Sequence, residues 1–306
     1  MTADRYIDQV ALLVRAIPVI APETDFALKG GTAINLFVRD LPRLSVDIDL
    51  VYLPVADREA SLRAVSDGLD RIATRLEVLR MKVERHLLAD GKRLIVHSGQ
   101  ATIKIEVSPV LRGTVFAPEV RMVVPAVEDR FGFAEMQVVS LADLYAGKIA
   151  AALDRQHPRD LFDVHHLLTH DGIDEPLFHA FLIYLVSHPR PIHELLAPHR
   201  LDISAQYDTE FIGMTVEPES LESLLAARET LIGLLQARAA QTDARRFLTS
   251  FLALEPDWSA IGLDTGLADL PAVRWKLLNL SRLREQNSEK FDDQRRLLEL
   301  CLDAAR

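Results

Sequence analysis

The spacing of apolar positions changes several times in the first 135 residues and then settles. Ile7, Val10, Ala11, Leu13, Val14 and Ile17 recur at helical intervals, which predicts an opening helix over 1–17. Between Thr24 and Phe37 a short apolar run meets Gly30-Gly31 and resumes as Ala33, Ile34, Leu36 and Phe37. That pattern is a strand, a glycine turn and the first turns of a helix. Val46, Ile48 and Leu50 alternate with Asp47 and Asp49, so residues 46–53 are predicted to be a strand with both acids on one face. Residues 58–80 carry a helical pattern. Residues 94–96 and 102–107 read as paired strands around Ser98-Gly99.

From about residue 140 the period is helical almost to the end. Ser140 followed by Asp143 has the form of a capping box and starts a helix predicted to run to about Arg155. His157-Pro158 breaks it, and another helix is expected over 159–168. Helices over 219–240, 243–252, 270–283 and 288–304 complete the pattern. The chain therefore changes class near residue 135, from mixed α and β to α alone.

Composition narrows this picture without redirecting it. Of the 306 residues 49% are hydrophobic and 26% charged, as in an ordinary globular protein. No apolar run approaches the roughly 20 residues a membrane span needs. The stretch 10–19 is interrupted by Arg15 and Pro18 and lacks the flanks of a signal peptide. The single Cys301 has no internal disulfide partner, and the expected location is the cytoplasm. A net charge of −10 argues against bulk coating of nucleic acid, though a local basic strip would still serve an RNA substrate.

The chemistry lies in Gly30-Gly31-Thr32 and Asp47-Ile48-Asp49. Two carboxylates two positions apart on a strand point the same way and can grip a divalent cation such as Mg2+ together. Phosphoryl and nucleotidyl transfer use such metals to neutralise triphosphate charge and align the reacting oxygens. A glycine pair at a strand-to-helix turn lets backbone N–H groups approach phosphate. The plainer alternative is a pair of solvated aspartates beside an unrelated turn. Lys104 and Glu106 share a face of the later strand, which supplies a third carboxylate or merely a solvated strand face.

Two longer runs resemble the AbiEii/AbiGii toxin family of nucleotidyltransferases, within the polymerase-beta superfamily. The first is residues 28–36 (LKGGTAINL) followed by 43–50 (RLSVDIDL). The second is residues 143–151 (DLYAGKIAA), then Arg155, then 159–163 (RDLFD). The likeness covers about residues 25–170, and the last third matches only in being helical.

The resemblance implies an α+β chain: a polymerase-beta-type core of mixed sheet and helices over 1–135, then a helical domain over 136–306. It implies Asp47 and Asp49 as metal ligands, with Glu106 as the third carboxylate. Lys148 would contact the phosphates of a nucleoside triphosphate, and Asp160 would be a second acidic catalytic position. Gly30, Gly31, Thr32 and Ser45 would line the nucleotide. The implied acceptor is RNA, at the 3′ end of tRNA, and a cognate antitoxin would counter the resulting block of translation. Read from the residues alone, Lys148 is a lysine snorkelling out of an apolar helix, and Asp160 and Asp163 are acids favoured by a helix N-terminus.

Alternatives are transfer to a small molecule or a protein, a nucleotide-binding regulator without turnover, and a metal-dependent nuclease. His165-His166 lacks a facing ligand set and is not read as a zinc site. Candidate RNA contacts are Arg39, Arg43, Arg71, Arg75, Lys82, Arg85, Arg155 and Arg159, with a weaker set at Arg274, Lys276, Arg282, Arg284, Arg295 and Arg296.

Overall fold

The computed structural model describes residues 2–88 and 91–305, and the side chains of all of these except 2–5, 109 and 110. The chain divides into two compact units, 1–140 with 211–218, and 141–210 with 219–306.

The first unit is built on a seven-stranded mixed sheet. In chain order the elements are α1 (Thr2–Ile20), β1 (Phe26–Lys29), α2 (Gly30–Phe37), β2 (Asp47–Tyr52), α3 (Arg58–Val78), β3 (Lys82–Leu88), β4 (Gly91–Ser98), β5 (Ala101–Arg112), β6 (Glu119–Met122), α4 (Pro125–Phe131) and β7 (Glu135–Val138). Across the sheet the order is β3-β4-β5-β2-β1-β7-β6. β2 lies antiparallel to β1 and parallel to β5.

One face of the central strands carries Leu28, Ile48, Leu50, Leu94, Ile103 and Ile105, all buried, and α1 and α3 pack on the sheet. The alternate positions carry charge, because the pleat sends every second side chain the other way. The expected strands at 46–53, 94–96 and 102–107 are present. β3, β6, β7 and α4 are further elements without a strong local pattern, and β3 holds Lys82 and Arg85. The segment 211–218 returns to this unit: the Leu44 N–H donates to the Met214 carbonyl at 2.8 Å, and the Val216 N–H donates to the Pro42 carbonyl at 3.0 Å.

The second unit is helical. It comprises α5 (Leu141–Arg155), α6 (Pro158–His170), α7 (Glu175–Ser187), α8 (Ile192–Leu196), α9 (Ser204–Gln206), α10 (Leu221–Ala239), α11 (Thr242–Leu252), α12 (Pro271–Gln286) and α13 (Ser288–Ala304). α5 packs on α6 and α7, α6 on α10, and α12 on α13. Phe181, Phe247 and Phe251 are among its fully buried side chains. Among the described residues no helix is long and apolar enough to cross a membrane.

Candidate active site

β1 ends at Lys29 and α2 begins at Gly30 with no intervening loop. Gly30 has φ +75°, a left-handed conformation that costs a residue with a Cβ roughly 1–2 kcal/mol. Space enforces the same choice. A Cβ on Gly30 would lie 2.6 Å from Asp49 Oδ2, and one on Gly31 would lie 2.7 Å from Arg43 Nη2 and 3.0 Å from Ser45 Oγ. The glycine pair is therefore the surface against which Asp49, Arg43 and Ser45 are seated.

Buried hydrogen bonds fix this corner. The Thr32 hydroxyl donates to the Asp47 carbonyl and sits 3.0 Å from Ser45 Oγ. Asn35, fully buried, donates from Nδ2 to the Gly31 carbonyl at 2.8 Å and accepts from the Arg43 N–H at 3.4 Å. Thr32 and Ser45 were expected to line the nucleotide. Both are buried, and the Thr32 hydroxyl is committed to the start of β2, so it positions Asp47.

The register assembles a row of charge across four strands. β4 pairs Arg93 with Glu106, β5 pairs Glu106 with Asp49, and β2 pairs Asp49 with Lys29. In the adjacent row Lys104 pairs with Asp47. Asp47, Asp49, Lys104 and Glu106 are all part-exposed, while Ile48 and Ile105 between them are buried. Lys104 Nζ lies 3.1 Å from Glu106 Oε2 and 3.8 Å from Asp47 Oδ2, and Arg93 Nη1 donates to Glu106 Oε1 at 3.2 Å. Burial opposes the Lys104 ammonium, but Asp47, Glu106 and Asp49 outweigh it and raise its pKa above the usual lysine value. A cleft of about 290 Å³ opens beside Asp49 and Glu106, walled also by Lys29, Leu88, Lys92 and Ser108.

The donor set suits a divalent cation in part. Asp47 and Asp49 present oxygens from one strand face, and an ammonium already lies beside Asp47 and Glu106. Among the described residues no three Asp, Glu, His or Cys side chains are gathered closely enough to hold a metal ion. Glu106 is engaged by Lys104 and Arg93 instead of joining the two aspartates.

The second unit holds the other predicted residues. Lys148 on α5 is buried, so it does not snorkel to solvent as its apolar helix suggested. Its Nζ lies 2.8 Å from Asp160 Oδ1 and 3.0 Å from Asp163 Oδ2, both on α6. Arg155, in the last turn of α5, donates from Nε to Asp160 Oδ2 at 2.5 Å. Burial pushes the Asp160 carboxyl up, but Lys148 and Arg155 prevail and hold it well below the usual range.

His157 caps α6 by accepting the Arg159 N–H at 3.2 Å, and Pro158 opens the first turn, which sets Asp160 and Asp163 on one face. Gln156, buried at φ +49°, fixes the corner between the helices. Its Nε2 donates to the His199 carbonyl at 2.7 Å, and its Oε1 accepts from Leu201 N at 3.1 Å and Arg228 Nη1 at 2.9 Å.

Several basic candidates are internally paired. Arg71 and Arg75 both clamp Glu23, Arg85 pairs with Glu77, and Lys82 pairs with Glu84. Arg43 is buried. His166 stacks on His170 with ring centroids 5.4 Å apart.

Arg93 was missed by the sequence reading, and Asp163, read there as an acid favoured by a helix N-terminus, is also a partner of Lys148. Pairing outward from the turn at Ser98-Gly99 would have found Arg93 opposite Glu106. Asp163 was within reach as the acid one helical turn after Asp160.

Comparison with known proteins follows this geometry. Residues 11–279 match the family described as the nucleotidyl transferase AbiEii toxin, type IV toxin–antitoxin system. No curated protein sequence matches the chain. Its structure is similar to MenT4, a nucleotidyltransferase toxin of Mycobacterium tuberculosis H37Rv, with a TM-score of 0.59 and 18% identity, over 90% of this chain and 93% of that one. A putative nucleotidyltransferase from H. pylori superposes with a TM-score of 0.44 and 20% identity, over 74% of this chain and 92% of that one.

Proposed function

Because this chain belongs to the AbiEii nucleotidyltransferase toxin family of type IV toxin–antitoxin systems, we propose that it transfers a nucleotidyl group from a nucleoside triphosphate to the 3′ end of an RNA, with tRNA as the acceptor. Membership implies a nucleotidyltransferase with a nucleoside triphosphate substrate and an antitoxin counterpart. The observation that supports the transfer chemistry is the contact of Asp49 with the Gly30 turn, which seats a carboxylate against backbone suited to phosphate, while the RNA acceptor rests on the family alone.

In the reaction an acceptor hydroxyl oxygen bonds to the α-phosphorus. The bond from that phosphorus to the bridging oxygen breaks, pyrophosphate leaves, and the hydroxyl proton passes to a carboxylate. Asp47 and Asp49 would hold Mg2+, and Glu106 would join them as third carboxylate only on exchanging its Lys104 and Arg93 partners. The metal, when bound, supplies neutralisation of triphosphate charge. Thr32 and Asn35 hold the turn and β2 rigid, so that the carboxylates need not reorganise. Lys29 at the cleft would give the triphosphate a positive wall, whereas the Lys92 ammonium is paired with Asp70 on α3. The roles suggested for Lys148 and Asp160 belong to the same proposal.

A second reading, transfer to a small molecule, draws on the net charge of −10 and on the internal pairing of Arg71, Arg75, Lys82 and Arg85. Incubation with each labelled nucleoside triphosphate, Mg2+ and either total RNA or an RNA-free extract separates the two. The expected result is label on tRNA, falling steeply with salt as displaced counterions require, and lost by roughly a hundredfold or more in a folded Asp49→Asn variant. Label only in the RNA-free extract would establish the second reading. Undiminished labelling by Asp49→Asn would remove Asp49 from the metal clamp.

A further inference from the structure

Lys104 is positioned by strand register rather than by chance of rotamer. It stands opposite Asp47 across the β2–β5 pairing and two residues before Glu106 on the same face. Its ammonium lies 3.1 Å from Glu106 and 3.8 Å from Asp47. Arg93 takes the other Glu106 oxygen, at 3.2 Å. The charged face therefore holds Asp47, Asp49 and Glu106 against Lys104, Arg93 and Lys29, a formal sum of zero rather than −3.

That sum has consequences for what enters first. A free divalent cation approaching Asp47 meets an ammonium already there and must displace it. A divalent cation already chelated by a triphosphate arrives as a net anion, and the same ammonium then attracts it. Lys104 thus opposes one form of the ligand and favours the other.

We propose that Lys104 is a tethered counter-cation that biases this site against free metal and toward the metal–triphosphate complex, so that metal and nucleotide bind together. The inference rests on the reading of Asp47 and Asp49 as the metal clamp. In the free protein the ammonium neutralises Asp47 and Glu106 and keeps the carboxylates from repelling one another. When the complex enters, the ammonium exchanges its carboxylate partners for phosphate oxygens. A lysine suits this exchange, because its flexible stem moves a point charge with little geometric demand.

The test is calorimetric and needs no turnover. Mn2+ alone, and separately Mg2+ with a non-hydrolysable nucleoside triphosphate analogue, are titrated into the full-length protein and into Lys104→Met and Lys104→Arg variants. Lys104→Met should bind Mn2+ about tenfold more tightly and the Mg2+–analogue complex about tenfold more weakly, a modest part of what unit charges about 4 Å apart exert at a protein surface. Lys104→Arg, which keeps the charge, should stay close to wild type for both.

Equal affinities in wild type and Lys104→Met would overturn the counter-cation role while leaving the metal clamp intact. A parallel fall for both ligands would also overturn it, because it marks Lys104 as a scaffold for the carboxylates. If the wild-type protein binds neither ligand, the metal-clamp reading fails, and this inference fails with it.

Discussion

Replacing Gly30 by alanine tests whether the turn and Asp49 are one device. The substitution makes two demands at once. It places a Cβ at φ +75°, which costs roughly 1–2 kcal/mol. It also puts that Cβ 2.6 Å from Asp49 Oδ2, where ordinary contact begins near 3.4 Å, so the carboxylate must retreat by about 0.8 Å. Misplacement by about 1 Å costs a reaction of this kind on the order of a hundredfold. Transfer by Gly30→Ala should therefore fall by roughly thirty- to a hundredfold, with a melting temperature lowered by about 2–8 °C. Gly172 provides the matched control: its φ is +71°, and a Cβ there meets nothing within 4 Å. Gly172→Ala should lose comparable stability and keep its transfer rate. Initial rates of label incorporation and thermal melts of both variants decide the matter. Wild-type transfer by Gly30→Ala would refute the coupling, and equal loss in both variants would reduce it to general destabilisation.

Two further predictions concern the helical unit. Removing the Lys148 ammonium leaves Asp160 and Asp163 buried with less compensation, so Lys148→Met should lose about 3–5 kcal/mol in urea unfolding. Lys148→Arg should retain much of that stability, and unimpaired transfer by it would remove any demand on the lysine beyond its charge. Lys276 donates to the carbonyls of His188 at 2.8 Å and Arg190 at 2.6 Å, and burial pulls its pKa down to about 8. Its unfolded value is about 10.4. Between these values the unfolded chain holds the extra proton, so raising the pH across this window favours the folded state. Unfolding free energies from pH 8 to pH 10 should rise in wild type relative to Lys276→Met, and parallel curves would contradict the assignment.

The parts of the site that were legible in the sequence are those governed by local periodicity. Alternation alone placed Asp47 and Asp49 on one strand face, and the same rule placed Lys104 beside Glu106. Local pattern does not carry strand pairing between distant segments. The alignment of Asp49 with Glu106 depends on parallel pairing of β2 with β5, which no turn between them encodes. β6 and β7 have only four residues each, too short for alternation to register. Arg71 and Arg75 read as a solvated face or a candidate basic strip because their partner Glu23 lies about 50 residues earlier in the chain. Lys148 read as snorkelling because its helix is apolar. The two acids that let it stay inside come from α6, and only the packing of α5 on α6 brings them there.

The return of residues 211–218 to the first unit sets a timetable for synthesis. Pro42 and Leu44 wait for backbone partners at Val216 and Met214, and residues 141–210 must be made in between. The intervening Arg43 is the residue whose guanidinium crowds the Gly31 turn. Folding during translation ordinarily completes amino-terminal units first. Here the loop beside the Gly30-Gly31 turn cannot finish until residue 216 has been made. A ribosome-bound fragment ending shortly after residue 140 would carry every acid of the charged row without the backbone pairing that secures the Pro42–Leu44 loop.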